Sequence, residues 1–162
     1  MSHKHRCEQS LSQINLKNII NSPRKHYHPS PYAWEDQVLY FLMLDRFSDG
    51  KEKGYLDNNG APVTTGQTPL YTPKDNGNAI LSENDAAKWR ESGKKWVGGT
   101  LKGLESKIGY LSRMGITAVW ISPIFRQVAF QETYHGYGIQ NFLDVDPHFG
   151  SREDLKSLVK TA

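Results

Sequence analysis

Apolar residues in this chain fall into four dense patches separated by polar stretches. In the first, residues 38–44 read Val-Leu-Tyr-Phe-Leu-Met-Leu, seven apolar positions without alternation between Asp36 and Asp45. That is the pattern of a strand covered on both faces of a parallel sheet. In the second, Leu101, Leu104, Ile108 and Leu111 recur at helical spacing behind Thr100, a good N-cap, and ahead of Gly115, a good helix stop; they predict a helix over residues 101–114. The third, residues 116–122, is a β-rich run ended by Pro123 and predicts a second buried strand. In the fourth, Ser151 with Asp154 three residues on predicts the start of a helix carrying Leu155, Leu158 and Val159. Strand, helix, strand, helix is the order of an α/β protein with a parallel sheet.

The first strand and first crossover helix are far apart. Residues 45–98 carry Asn59-Gly60, Gly66, Pro69, Pro73 and Asn76-Gly77 with little apolar pattern, a turn-rich excursion too long for a plain connection. Ser82 and Asp85 could cap a short helix within it, running through Trp89. Residues 1–36 read as a polar extension; Leu11, Ile14, Leu16, Ile19 and Ile20 offer one weak amphipathic helix before Pro23. The domain reading is thus an extension over 1–36 and a single α/β unit over 37–162.

Composition narrows the function classes. The 162 residues are 37% hydrophobic and 11% aromatic, with 14 Gly and 8 Pro, which suits a folded, loop-rich protein. The net charge of +3 is small and is carried in part by Lys4, Arg6, Arg24 and Lys25 in the extension, so no nucleic-acid partner is expected. No apolar run approaches a membrane span, and the opening Met-Ser-His-Lys-His-Arg lacks the apolar core of a signal peptide. A cytoplasmic location and no membrane partner are the expectation. Cys7 is the one cysteine, which excludes an intrachain disulfide. His3, His5 and Cys7 lack a second matching pair of ligands and read as tail residues rather than a zinc site, as do His26 and His28 beside Pro29 and Pro31.

Chemistry is sought past the carboxyl end of the second strand, where α/β proteins place ligands. There the chain reads Tyr134-His135-Gly136-Tyr137-Gly138. Two aromatic rings and an imidazole stand together there, and the two glycines allow a sharp turn around them. Nucleophile motifs built on Ser or Cys are absent, as are phosphate-binding glycine loops.

Four collinear blocks resemble the N-terminal part of the catalytic barrel of the α-amylase superfamily, glycoside hydrolase family 13. They are residues 38–50 ending Asp-Arg-Phe-Ser-Asp-Gly; 98–104, Gly-Gly-Thr-Leu-Lys-Gly-Leu; 115–123, Gly-Ile-Thr-Ala-Val-Trp-Ile-Ser-Pro; and 134–137 followed by Asp144-Val145-Asp146-Pro147-His148-Phe149-Gly150. The resemblance implies about two βα units and a long loop excursion of a (β/α)₈ barrel, a fold that takes about 250 residues. It implies that His135 and Tyr137 are substrate-binding residues lining the subsite of the sugar whose bond is cut, with an α-glucan or maltooligosaccharide as substrate of the intact parent. The family's catalytic carboxylates come from later strands, the next landmark being expected just past Ala162, so no catalytic residue is assigned here and the chain alone is expected to be inactive. Asp45 and Asp49 after the first strand, or Glu132, Asp144 and Asp146 after the second, could in principle form a carboxylate pair, but structural and turn roles account for them better. The alternative is a non-catalytic glucan-binding or interaction module derived from the same barrel.

Calcium is the one cofactor the resemblance raises. Some relatives bind it in the loop after the first strand, starting at the position of Asp49, but the asparagines expected next are missing from residues 51–54. Asp57, Asn58, Asn59, Asp75 and Asn76 are other oxygen donors nearby in sequence.

Overall fold

A computed structural model describes residues 30–67 and 82–162. The expected helix near residues 11–20, together with His3, His5, Cys7, His26, His28, Asp75 and Asn76, lies outside the described residues. Residues Glu35–Ala162 form one compact unit.

Its centre is the parallel pair of β1 (Leu39–Leu42) and β4 (Ala118–Ile121), with Leu39 opposite Ala118 and Leu42 opposite Ile121. Side chains fix both ends of the register. Thr117 Oγ1 accepts from the Val38 amide at one end, and the fully buried Ser122 hydroxyl accepts from the Leu44 amide at the other. The two strands are shorter than the apolar runs that announce them, because a 3₁₀ turn at Leu44–Arg46 and Pro123 end them.

Coverage of β1 on both faces is not observed. Leu42 is buried and Tyr40 packs on the core, but Leu39 and Phe41 are 55% and 51% exposed, beside Trp120 at 58%. Phe41 and Trp120 meet edge to face with centroids 5.4 Å apart. The apolar run does form a strand, but its second face has no cover among the described residues.

Between β1 and β4 lie a small hairpin, β2 (Tyr55–Leu56) with β3 (Pro62–Val63), and the helix α1 (Glu83–Ser92), which matches the expected short helix. The crossover helix is broken in two. α2 (Leu101–Glu105) starts at Thr100, whose hydroxyl accepts from the Gly103 amide, and α3 (Ile108–Arg113) ends at Gly115. The end is a Schellman motif: Gly115 has φ +86°, its amide donates to Ser112, and the Ile116 amide donates to Leu111. A single helix over residues 101–114 was expected, and the side chain of Asn58 explains the break. Its Nδ2 donates to the Glu105 carbonyl at 2.8 Å and its Oδ1 accepts from the Gly109 amide at 2.9 Å. Asn58 thereby takes over backbone groups at the break, where Lys107 leaves helical geometry with ψ 3°.

After β4 the chain forms an antiparallel pair, β5 (Phe125–Gln127) with β6 (Ile139–Val145), which the pattern of apolar patches does not predict. The last helix, α4 (Arg152–Thr161), opens with the capping box expected at Ser151 and Asp154. It packs against α2 through Leu155 and Leu158, and Ser157 and Thr161 donate to the Glu105 carboxylate; Val159 stays exposed. The core is Leu42, Leu44, Leu101, Leu104, Leu111, Ile124, Phe149 and Leu158. Ser151→Ala removes the reciprocal cap of α4 and is expected to destabilise the chain by about 1 kcal/mol, read as a lower urea midpoint with unchanged slope.

Candidate functional site

The carboxyl ends of β1 and β4 open onto one rim, and its foundation is Asp45. This side chain is 1% exposed, and it points at backbone rather than at solvent. Its two oxygens accept from the Val97 amide at 3.1 and 3.0 Å, and one also accepts from Gly98 at 3.0 Å. Segment 97–99 is thereby stitched to the end of β1, and Gly99 approaches so closely that a Cβ there would collide with the Leu44 carbonyl. Arg46 continues the clamp. Its Nε lies 3.3 Å from Asp45, its Nη2 donates to the carbonyls of Gly93 and Lys95, and its guanidinium lies 4.1 Å over the ring of Tyr134. That last contact pins the start of the aromatic turn to the end of β1.

The turn itself brings Tyr134, His135 and Tyr137 together. Tyr134 meets His135 edge to face at 5.4 Å, and His135 stacks on Tyr137 with centroids 5.9 Å apart and planes 25° apart. The Tyr137 amide donates to His135 Nδ1 at 3.0 Å. Accepting that bond requires a lone pair on Nδ1, so the ring proton sits on Nε2. Tyr137 is 62% exposed and His135 partly so, leaving ring surface open to solvent.

Sequence assigned Gly136 and Gly138 the same job; the structure separates them. Gly136 has φ +86° and backs onto the Pro123 carbonyl, where a Cβ would collide. Gly138 is needed for space alone, because a Cβ there would strike the Thr133 methyl. Beneath the turn sits Gln127, which sequence reading did not single out. Its Nε2 donates to the Gly136 carbonyl at 3.0 Å and to Phe125 at 2.6 Å. Its own amide donates to Asp146 Oδ2 at 2.8 Å.

Asp146 is the second buried carboxylate of the rim. Besides Gln127 it accepts from the His148 amide at 2.9 Å, and its Oδ1 lies 2.7 Å from His148 Nδ1. Burial pushes its carboxyl up, but the Gln127 and His148 donors outweigh burial and leave it below the ordinary value. His148 stacks flat on Trp96, 4.1 Å between centroids and 6° between planes, and Trp96 in turn meets the buried Phe149. The segment before α2 and the turn before α4 are thus joined through one ring stack.

Comparison with known proteins decides the family. The description "Alpha amylase, catalytic domain" matches residues 41–162. The chain belongs to the α-amylase family. Alpha-amylase 2 of Dictyoglomus thermophilum is 34% identical over 161 residues, covering 96% of this chain and 22% of the relative. An alpha-amylase of Streptomyces lividans is 46% identical over 133 residues, covering 78% of this chain and 12% of the relative. Among solved structures, the alpha-amylase from Geobacillus thermoleovorans, complexed with acarbose, aligns with a TM-score of 0.51 at 32% identity, covering 81% of this chain and 21% of that one. The chain therefore spans about a fifth or less of the length of these relatives, and the parallel pair with its helices is a portion of the family's TIM-type barrel.

Within this α-amylase portion, the other carboxylates noted in the sequence have separate surroundings. Asp49 Oδ1 accepts from the Lys51 amide. Asp144 binds Arg152 Nε at 2.9 Å, and that bond, with a smaller opposing effect of burial, holds its carboxyl below the ordinary value. Glu132 is exposed. Among the described residues no group of three or more His, Cys, Asp or Glu side chains is placed to hold a metal ion, and no helix is long and apolar enough to cross a membrane.

Proposed function

We propose that this chain supplies the first two βα units of a (β/α)₈ barrel in an enzyme that hydrolyses or transfers α-glucosyl units by retaining double displacement. His135 and Tyr137 form one wall of the subsite for the sugar whose bond is cut. The observation that carries this is the His135–Tyr137 stack, held at the open end of the parallel β1–β4 pair by Arg46, Gln127 and Gly136. The exposed Tyr137 face suits the C–H face of a pyranose, and the Nε2 proton of His135 suits a hydroxyl acceptor. Relatives named as alpha-amylases and as a cyclomaltodextrin glucanotransferase, and the acarbose complex of the Geobacillus enzyme, support an α-glucan substrate and leave hydrolysis and transfer both open.

Retaining hydrolysis needs a nucleophilic carboxylate and a carboxylic acid about 5–5.5 Å apart. Asp45 and Asp146 are committed to backbone amides and Asp144 to Arg152, which supports placing the catalytic pair outside these 162 residues. The purified chain is expected to release no product from starch or from a chromogenic α-glucoside. Turnover that disappears in Tyr137→Ala would overturn the reading of an incomplete site. The exposed ring stack also favours a second reading, a glucan-binding module, which predicts saturable maltoheptaose binding and a cooperative melt without turnover.

A further inference from the structure

The loop after β1 is where the resemblance raised calcium. We propose that the ammonium of Lys107 holds this loop in place of a metal ion. Ser48 Oγ donates to Glu52 Oε2 at 2.9 Å, the Asp49 amide donates to Glu52 Oε1 at 3.1 Å, and the Gly50 amide donates to Ser48 Oγ at 3.1 Å. These bonds fold the loop around the Glu52 carboxylate. Into the same cluster Lys107 sends its Nζ, 3.0 Å from Glu52 Oε2, 3.0 Å from Ser106 Oγ and 3.6 Å over the centre of the Tyr55 ring. The Lys107 side chain is 11% exposed and that of Glu52 23%.

The donor set does not fit calcium. Calcium takes about six to eight oxygen ligands, whereas Glu52 has one oxygen committed to an amide and the other to Ser48 and Lys107, and Asp49 Oδ1 is committed to Lys51. The next donors along the chain serve the backbone. Asp57 Oδ1 accepts from the amides of Asn59 and Ala61, and both ends of the Asn58 amide fill the break between α2 and α3. Lys107 lies in that same break. One interruption of the crossover helix therefore supplies the cation for the loop and receives Asn58 from the far end of it. The covalently attached charge is already paired, hydrogen-bonded and stacked on a π face, so a second cation there would meet repulsion.

Acylation of the whole chain by a water-soluble lysine reagent, mapped by mass spectrometry, tests this in chelator and in millimolar calcium. Lys107 is expected to react at least about tenfold more slowly than Lys102 and Lys156, both with side chains 77% exposed, and at the same rate in the two buffers. Calorimetric titration with calcium is expected to show no saturable site among residues 48–59. Reaction of Lys107 at the rate of Lys102 in chelator, faster reaction of Lys107 in calcium, or a saturable calcium site lost in Glu52→Gln would each overturn the proposal.

Discussion

Asp45→Ala is expected to destabilise the chain by about 3–5 kcal/mol, among the largest effects of any single substitution in it. The carboxylate is 1% exposed, so none of its bonds passes to water without cost when it is removed. Loss of the side chain strands the Val97 and Gly98 amides and removes the carboxylate beside Arg46 Nε. The effect should travel. Freed from Asp45, the Arg46 guanidinium keeps its bonds to the Gly93 and Lys95 carbonyls but loses its charged partner, which loosens the anchor of the aromatic turn to β1. Urea denaturation followed by tryptophan fluorescence measures the first effect; a loss of less than about 1 kcal/mol would show that the amides find other partners. Asp45→Asn separates charge from geometry. It keeps one acceptor oxygen for the two amides but abolishes the ion pair, and it is expected to fall between wild type and alanine.

The sequence disclosed those parts of the fold that rest on short-range rules. Thr100, Gly115 and the Ser151–Asp154 pair each do locally what their residue types favour, and the structure places them at an N-cap, a Schellman end and a capping box. The parallel pairing of the two apolar runs was legible from their order, with a helix between two strands. What escaped was decided by partners distant in sequence. The break in the crossover helix is invisible in residues 101–114, whose periodicity continues across it; its cause is Asn58, about fifty positions earlier. β5 and β6 escaped for a local reason: Phe-Arg-Gln is too short to show a pattern, and Ile-Gln-Asn-Phe-Leu-Asp-Val lacks the alternation that marks a half-buried strand.

The candidate site divides in the same way. His135 and Tyr137 are candidates from the strand before them and from the family resemblance, and the structure brings their rings together. Asp45 was legible as a structural residue beside Arg46. Gln127 was not, since an isolated glutamine in a polar connection carries no pattern; only the fold shows it under Gly136. Asp146 was read as a turn former, and it does serve the turn through the His148 amide. Its second task, holding Gln127 and so the floor of the aromatic turn, depends on a bond across nineteen residues.

That second task makes Asp146 the other position of large expected effect, about 3 kcal/mol for Asp146→Ala, because the amides of Gln127 and His148 lose a buried acceptor together. Its contribution also depends on pH. Burial raises the carboxyl's pKa, but the amide and ring donors lower it further, so the folded value lies below the unfolded one near 3.8. A group shifted in that direction contributes its full stability above the unfolded value and loses it as pH falls through the folded value. The stability difference between wild type and Asp146→Asn should therefore shrink as pH falls below about 4. Glu52, Asp144 and Asp154 are shifted the same way by Lys107 and Ser48, Arg152, and Ser151 respectively, the Glu52 shift against a larger single effect of burial, so wild type itself weakens over the same acid range. Taking the difference from the asparagine variant cancels those shared contributions and isolates Asp146. A difference that persists undiminished at pH 3 would mean that the donors from Gln127 and His148 do not favour the charged carboxylate, and the floor beneath the His135–Tyr137 turn would then not rest on the charge of Asp146.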